Sequence, residues 1–185
     1  AANQFPQIMY TTRIALNELS ADGDKLVLFG GIGNGITKGD LYTLDFGGEC
    51  PLIIAITLLT FLSTATLQWT KIDATGDLPT PRWGHTAVVH NDKMYVFGGY
   101  VTSFTNDLYE LDLRKCIVAQ SHSTKLNIII LGTFTWHKPQ TVGQPPKPRQ
   151  FHAAFVYNDA MYIMGGFTGH VNSNEIFTYH FGMNF

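Results

Sequence analysis

Histidine and cysteine are the side chains that most readily bind metals or move protons near neutral pH. This chain has seven of the first and two of the second, Cys50 and Cys116. His85 and His152 stand 67 positions apart, and His90 follows His85 by five. An odd spacing puts His85 and His90 on opposite faces of an extended strand. No His-x-Glu, Glu-x-x-His or paired-Cys spacing occurs, and those are the patterns that gather metal ligands on one turn or face. Neither a Gly-x-Ser-x-Gly nucleophile turn nor a P-loop is present. Two cysteines are too few for a disulfide scaffold. The histidines therefore read as structural or surface residues, and no catalytic, metal-binding or cofactor-binding residue is expected.

The elements that carry these residues follow from composition. At 45% hydrophobic and 14% charged residues, the chain is globular rather than disordered. Its 185 residues suffice for one domain with a core. Eighteen glycines and 13% aromatics suit an all-β fold with many tight turns. Twelve basic and 14 acidic residues give a net charge of −2. No Lys or Arg run occurs, so nucleic acid is not an expected partner. The sequence has no signal-peptide pattern and no Asn-x-Ser/Thr acceptor, which points to a cytoplasmic protein.

Internal repetition organises the rest. Three apolar runs end in Gly-Gly: Leu26 to Gly30-Gly31, Met94 to Gly98-Gly99 and Met161 to Gly165-Gly166, at spacings of 68 and 67. Asp40-Leu41-Tyr42, Asp107-Leu108-Tyr109 and Glu175-Ile176-Phe177 follow in phase. Trp69 and Trp136 are 67 apart, as are Pro81-Arg82 and Pro148-Arg149. Each unit reads as four strands. In the second, these are Trp83 to His90, Lys93 to Phe97, Asp107 to Leu113 and a stretch around Trp136, with Asn91-Asp92 as a hairpin turn. Asn158-Asp159 and Asp22-Gly23 occupy the same place in the other units. Arg13-Ile14-Ala15-Leu16 stands where Arg82-Trp83-Gly84-His85 would be, so the first strand of the first unit is expected to be irregular.

This pattern resembles the Kelch repeat, in which an apolar strand ending in Gly-Gly is followed by a Tyr and then a Trp. The resemblance covers nearly the whole chain. It implies an all-β Kelch-type β-propeller, with this chain a fragment of about three four-stranded antiparallel blades. The units span about 11–72, 81–140 and 148–185, the last incomplete. The structural repeat positions are Gly30, Gly31, Tyr42, Trp69, Gly98, Gly99, Tyr109, Trp136, Gly165 and Gly166. Glycine there permits a bend and close backbone approach, and Tyr and Trp fill the space between stacked blades. Some Kelch-like propellers are copper oxidases with a Cys–Tyr cross-link. Here both cysteines lie in atypical segments, so that cofactor is not expected. The Glu-x-x-x-Asp-x-x-x-His arrangement of the iron-linked plant specifier proteins is also missing.

The repeat is longer than the family period of roughly 50. The excess is one 19-residue segment in each complete unit, 47–65 and 114–132, both between the third and fourth strands. The first has no charge after Glu49 but is short for a membrane span, and a span would divide a blade. The second contains Asn127-Ile128-Ile129-Ile130-Leu131, an aggregation-type stretch. Both read as translated non-coding sequence, with genuine long loops as the rival reading.

The expected function is protein binding, by an adaptor that presents variable loops on one blade face. The contact residues expected there are Ile32, Ile36, Tyr100, Phe104, Phe167 and His170, from loops 32–39, 100–106 and 167–174. Arg82 and Arg149 are expected to border that face as further contacts, with structural hydrogen bonding at the strand start as the rival role. The units look most like the Kelch arrays of leucine-zipper-like regulators, cell-end markers and small-GTPase effectors. The alternative is a propeller enzyme or metal-dependent protein with its site in other blades. A closed propeller needs four to eight blades, so three would leave open faces through which copies self-associate.

Overall fold

A computed structural model describes residues 13–16, 25–45, 68–122, 125–132 and 134–182. The described residues form strands, turns and connecting segments, with no helix among them. The first sheet contains β1 (Arg13–Leu16), β2 (Lys25–Gly33), β3 (Ile36–Asp45) and β4 (Gln68–Ile72), side by side in chain order. The second contains β6 (Thr86–His90), β7 (Lys93–Tyr100), β8 (Phe104–Asp112) and β11 (Thr135–His137), and β5 (Thr75–Gly76) is added outside β11. The third contains β12 (Ala153–Tyr157), β13 (Ala160–Met164) and β14 (Ile176–His180). All pairs are antiparallel except β5 with β11, which is parallel.

The sheets stack through strands that are apolar on both faces, so the cores lie between sheets. In β7, Met94 and Val96 join Val27, Phe29 and Leu41 of the first sheet, with Val89, Leu111 and Trp136. The alternate residues Tyr95 and Phe97 face the third sheet and pack with Val88, Leu108, Met161 and Ile163. This is why the runs before the Gly-Gly pairs read as continuous apolar segments rather than alternating ones.

The paired glycines make the stacking possible. Gly98 has φ 63° and Gly99 φ 98°. A Cβ on Gly98 would stand 3.0 Å from the Arg149 carbonyl oxygen and 3.1 Å from His152, in the next sheet. One on Gly99 would stand 2.7 Å from the Trp83 carbonyl oxygen, in its own sheet. The Gly99 N–H donates to the Arg149 carbonyl at 2.8 Å, and Gly31 repeats this bond to Arg82 at 2.8 Å. The first glycine thus admits the next blade and the second admits the entry segment of its own.

Several local expectations need correction. The strand expected from Trp83 begins at Thr86, because Gly84 at φ 65° turns the backbone; Trp83 keeps only a bridge to Tyr100. Arg13 pairs with Phe29 as Thr86 pairs with Phe97, so Arg13 holds the register position of Thr86, not of Arg82. The loop expected over 32–39 is the two-residue turn Asn34-Gly35, with φ 51° and 73°. Ile32 and Ile36 therefore lie in β2 and β3. Asp22-Gly23 lies outside the described residues.

The long segments leave the blades at a hairpin end. Asp45 faces Gln68 across β3 and β4, and Asp112 faces Thr135 across β8 and β11. Segment 47–65 lies outside the described residues. Within 114–132, β9 (Lys115–His122) and β10 (Lys125–Gly132) pair with each other as a separate antiparallel hairpin. No helix among the described residues is long and apolar enough to cross a membrane.

Candidate interaction surface

The segments that enter the second and third blades are built around buried arginines. The Arg82 guanidinium donates from Nη1 to Asp107 Oδ1 at 2.6 Å and to the Gly98 carbonyl at 3.2 Å, and from Nε to the Thr80 carbonyl at 3.1 Å. It lies over the Tyr109 ring, 5.0 Å from the centroid. Arg149 makes the same set: Glu175 Oε2 at 3.1 Å, the Gly165 carbonyl at 2.8 Å, the Lys147 carbonyl at 3.0 Å and the Phe177 ring at 5.0 Å. Both arginines are 0% exposed, which corrects their expected place among the surface contacts. Their donors are spent on the scaffold. Burial opposes the charge on Asp107, but hydrogen bonding to Arg82 and its charge, with help from Thr105, hold the carboxyl below its ordinary range. Glu175, more exposed, is lowered by hydrogen bonds from Ser173 and Arg149.

The repeated histidines are buried as well. His85 meets Phe29 edge-on at 5.7 Å, and His152 meets Phe97 at 5.3 Å. Each thus packs on the phenylalanine that precedes the Gly pair of the preceding blade. His152 Nε2 is 2.7 Å from Thr86 Oγ1. His90, on the other face, stacks on Phe181 at 4.3 Å and lies 3.2 Å from Asp159. Among the described residues no cluster of three or more His, Cys, Asp or Glu could hold a metal ion.

Beside the arginine clamps, aromatic rings form a continuous strip. Phe151 meets Trp83 at 5.5 Å, Trp83 meets Tyr100 at 5.5 Å, Tyr100 meets Phe104 at 5.3 Å and Phe104 meets Phe167 at 5.7 Å. The strip crosses the ends of β7 and β8, with Trp83, Tyr100 and Phe104 of the second blade between Phe151 and Phe167 of the third. Its middle members are half-buried and Phe151 is 48% exposed. Gly169, at φ 96°, lets the third-blade loop close over Phe104; a Cβ there would be 3.1 Å from the ring. Val171, 63% exposed, and His170, exposed, sit on that loop.

Of the residues expected from the sequence, Tyr100, Phe104 and Phe167 are brought together in this strip. Ile32 is half-buried and Ile36 exposed in the first blade, away from the strip's ring contacts. The glycines Gly30, Gly31, Gly98 and Gly99 are buried, Gly165 and Gly166 half-buried. Tyr42, Tyr109 and Trp69 are half-buried on the blades, and Trp136 is buried.

Two members of the strip, Trp83 and Phe151, escaped the sequence reading. Phe151 held a legible signal. It occupies the repeat position of Gly84 and adopts the same left-handed backbone, φ 57° against 65°. A bulky residue in that region is strained, and here it holds a ring that is 48% exposed and packed on Trp83.

Comparison with known proteins agrees with this architecture. The family model described as KLHDC2/KLHL20/DRC7 Kelch-repeats domain matches residues 46–184. Host cell factor 2 of Homo sapiens is 31% identical over 173 residues, 85% of this chain and 18% of that protein. Tip elongation aberrant protein 1 of Schizosaccharomyces pombe is 32% identical over 66% of this chain and 10% of its own length. Kelch domain-containing protein 3 of Bos taurus is 30% identical over 72% of this chain and 30% of its own length. The chain thus spans less than a third of each of these relatives. A chain in a cryo-EM structure of RAG in complex with one melted RSS and one unmelted RSS superposes with a TM-score of 0.63 at 20% identity, over 97% of this chain and 50% of that one; that likeness concerns the fold alone. Gly-Gly pairs, arginine clamps and inter-blade tryptophan, together with the family match, establish that this chain belongs to the Kelch-repeat family and is built as blades of a Kelch β-propeller.

Proposed function

We propose that the chain is an adaptor-type binding platform that holds another protein on the strip Phe151–Trp83–Tyr100–Phe104–Phe167, rather than a catalyst. The strained, exposed ring of Phe151 carries this reading. Tyr, Trp and Phe are the residues that concentrate binding energy at protein interfaces, and here they are mounted on a stacked scaffold that fixes them in place. The polar groups nearby favour the same reading, since Arg82, Arg149, Asp107 and Glu175 bond to one another and to backbone carbonyls. Association of Kelch-repeat proteins with other proteins is the coarser function that the relatives support.

The test separates ring from fold. Phe104→Ala and Phe151→Gly are compared with the unchanged protein for binding to a co-purified partner that is then expressed alone and titrated by calorimetry. Loss of binding with the fold intact supports the reading. Equal affinity for all three proteins would refute it.

A further inference from the structure

The chemistry of the aromatic strip narrows what can lie on it. Neighbouring rings stand 5.3–5.7 Å apart, centroid to centroid, and meet tilted or edge to face. At that separation the rings pack on one another, and no ligand group enters between them. An occupant therefore runs along the strip, over the ring faces and edges that stay open.

The backbone beneath is already paired. Trp83 and Tyr100 exchange N–H to C=O bonds at 3.1 and 2.8 Å, and Gln150 and Phe167 do so at 3.0 and 2.8 Å. Tyr100 pairs with Phe104 across β7 and β8, and the Phe151 N–H donates to the Gly84 carbonyl at 2.8 Å. With these main-chain groups taken, the strip gives an incoming strand no edge to extend. What it gives instead are side-chain donors. Among the described residues neither the Trp83 indole N–H nor the Tyr100 hydroxyl has a hydrogen-bond partner. Such donors suit a ligand whose carbonyls are unused. A helix spends its carbonyls on its own N–H groups, whereas polyproline II has no internal hydrogen bonds and leaves them open.

Charge and spacing agree with that ligand. Residues 100–106 and 167–174 contain no Asp, Glu, Lys or Arg, and the nearby arginines are bonded to Asp107 and Glu175. A charged segment would be desolvated there without a counter-charge. Polyproline II repeats every three residues, or about 9 Å, and alternate rings of the strip are separated by no more than twice the single step. Prolines at i and i+3 can thus rest on alternate rings.

Resting on the strip as the binding surface, we infer that its occupant is an uncharged, proline-rich segment in the polyproline II conformation. Its prolines pack on the rings, and its carbonyls accept from Trp83 Nε1 and the Tyr100 hydroxyl. Aromatic surfaces recognise such segments because the ligand is already ordered before it binds.

The probe is a synthetic peptide of four Pro-Pro-Ala repeats, and the control replaces every proline with glycine. Each is titrated into the full chain by calorimetry, while the Trp83 indole N–H, assigned with Trp83→Phe, is followed by NMR. The expected result is saturable binding of the proline peptide with a shift of that resonance. The glycine peptide should bind at least tenfold more weakly, as should the proline peptide to Phe151→Gly and to Phe104→Ala. Equal binding of the two peptides, or binding that leaves the Trp83 resonance in place, would overturn the inference. If the proline peptide does not bind while a purified partner still loses affinity for Phe151→Gly, this inference fails and the strip stands. If that partner binds both proteins equally, the strip itself fails.

Discussion

Arg82 Nη1 donates to Asp107 Oδ1 at 2.6 Å, and 67 positions later Arg149 repeats the clamp on Glu175 at 3.1 Å. The two pairs differ in their water contact. Asp107 is 21% exposed at its side chain and Glu175 51%. Removing either carboxylate strands a buried guanidinium, but Asp107 is the more desolvated partner and accepts two donors from Arg82, at 2.6 and 3.2 Å, where Glu175 accepts one from Arg149, so the loss at Asp107 is the larger. Asp107→Ala is thus expected to shift the urea midpoint far more than Glu175→Ala, as circular dichroism would read. Similar shifts for both would contradict this account of the clamp.

The same carboxyl predicts a pH dependence. The folded-state pKa of Asp107 is depressed, so its stabilisation is fully present above the unfolded value of about 3.9 and is lost as pH falls through the folded value. The stability difference between the wild type and Asp107→Asn should therefore be greatest near neutral pH and shrink in acid below about pH 4. A difference that stays constant down to pH 2 would show that Asp107 acts through packing and not through its charge.

Gly98→Ala tests the stacking rule. An L-residue in the left-handed region costs about 1–2 kcal/mol. The added Cβ would also meet the Arg149 oxygen at 3.0 Å. Gly143→Ala, at a similar φ with open space around it, should cost only the backbone part. Thermal unfolding of both variants would expose the difference, and equal losses would mean that the blades do not close on Gly98.

Much of this was legible in the sequence. The phase shared by Gly-Gly, Pro-Arg, His and Trp gave the blades, because each of those residues has one steric duty that recurs with the repeat. The strand starts were not legible, since apolar periodicity is blind to the positive φ of Gly84 that ends the run at Trp83. Asn34-Gly35 is the strongest short-range hairpin signal and marks the turn inside the span 32–39, where repeat alignment alone expects a longer loop. For Arg82 and Arg149 the repeat left surface contact and structural hydrogen bonding both open, because the choice depends on a carboxylate 25 or more positions away that only the fold places against the guanidinium. Phe151 could have been found by aligning it with Gly84.

Phe151→Gly is the sharpest probe of the strip for the same reason. The substitution relieves about 1–2 kcal/mol of backbone strain while it removes a ring that is 48% exposed. Stability is expected to stay within about 1 kcal/mol of the wild type. A large loss of stability would mean that the ring serves the fold.

The central claim, a protein-binding strip on a Kelch scaffold, is tested most directly by calorimetric titration of a purified partner into the wild type and Phe151→Gly. The account predicts an affinity at least tenfold weaker for the variant, with an unchanged melting profile. An unchanged affinity in a folded variant would contradict it.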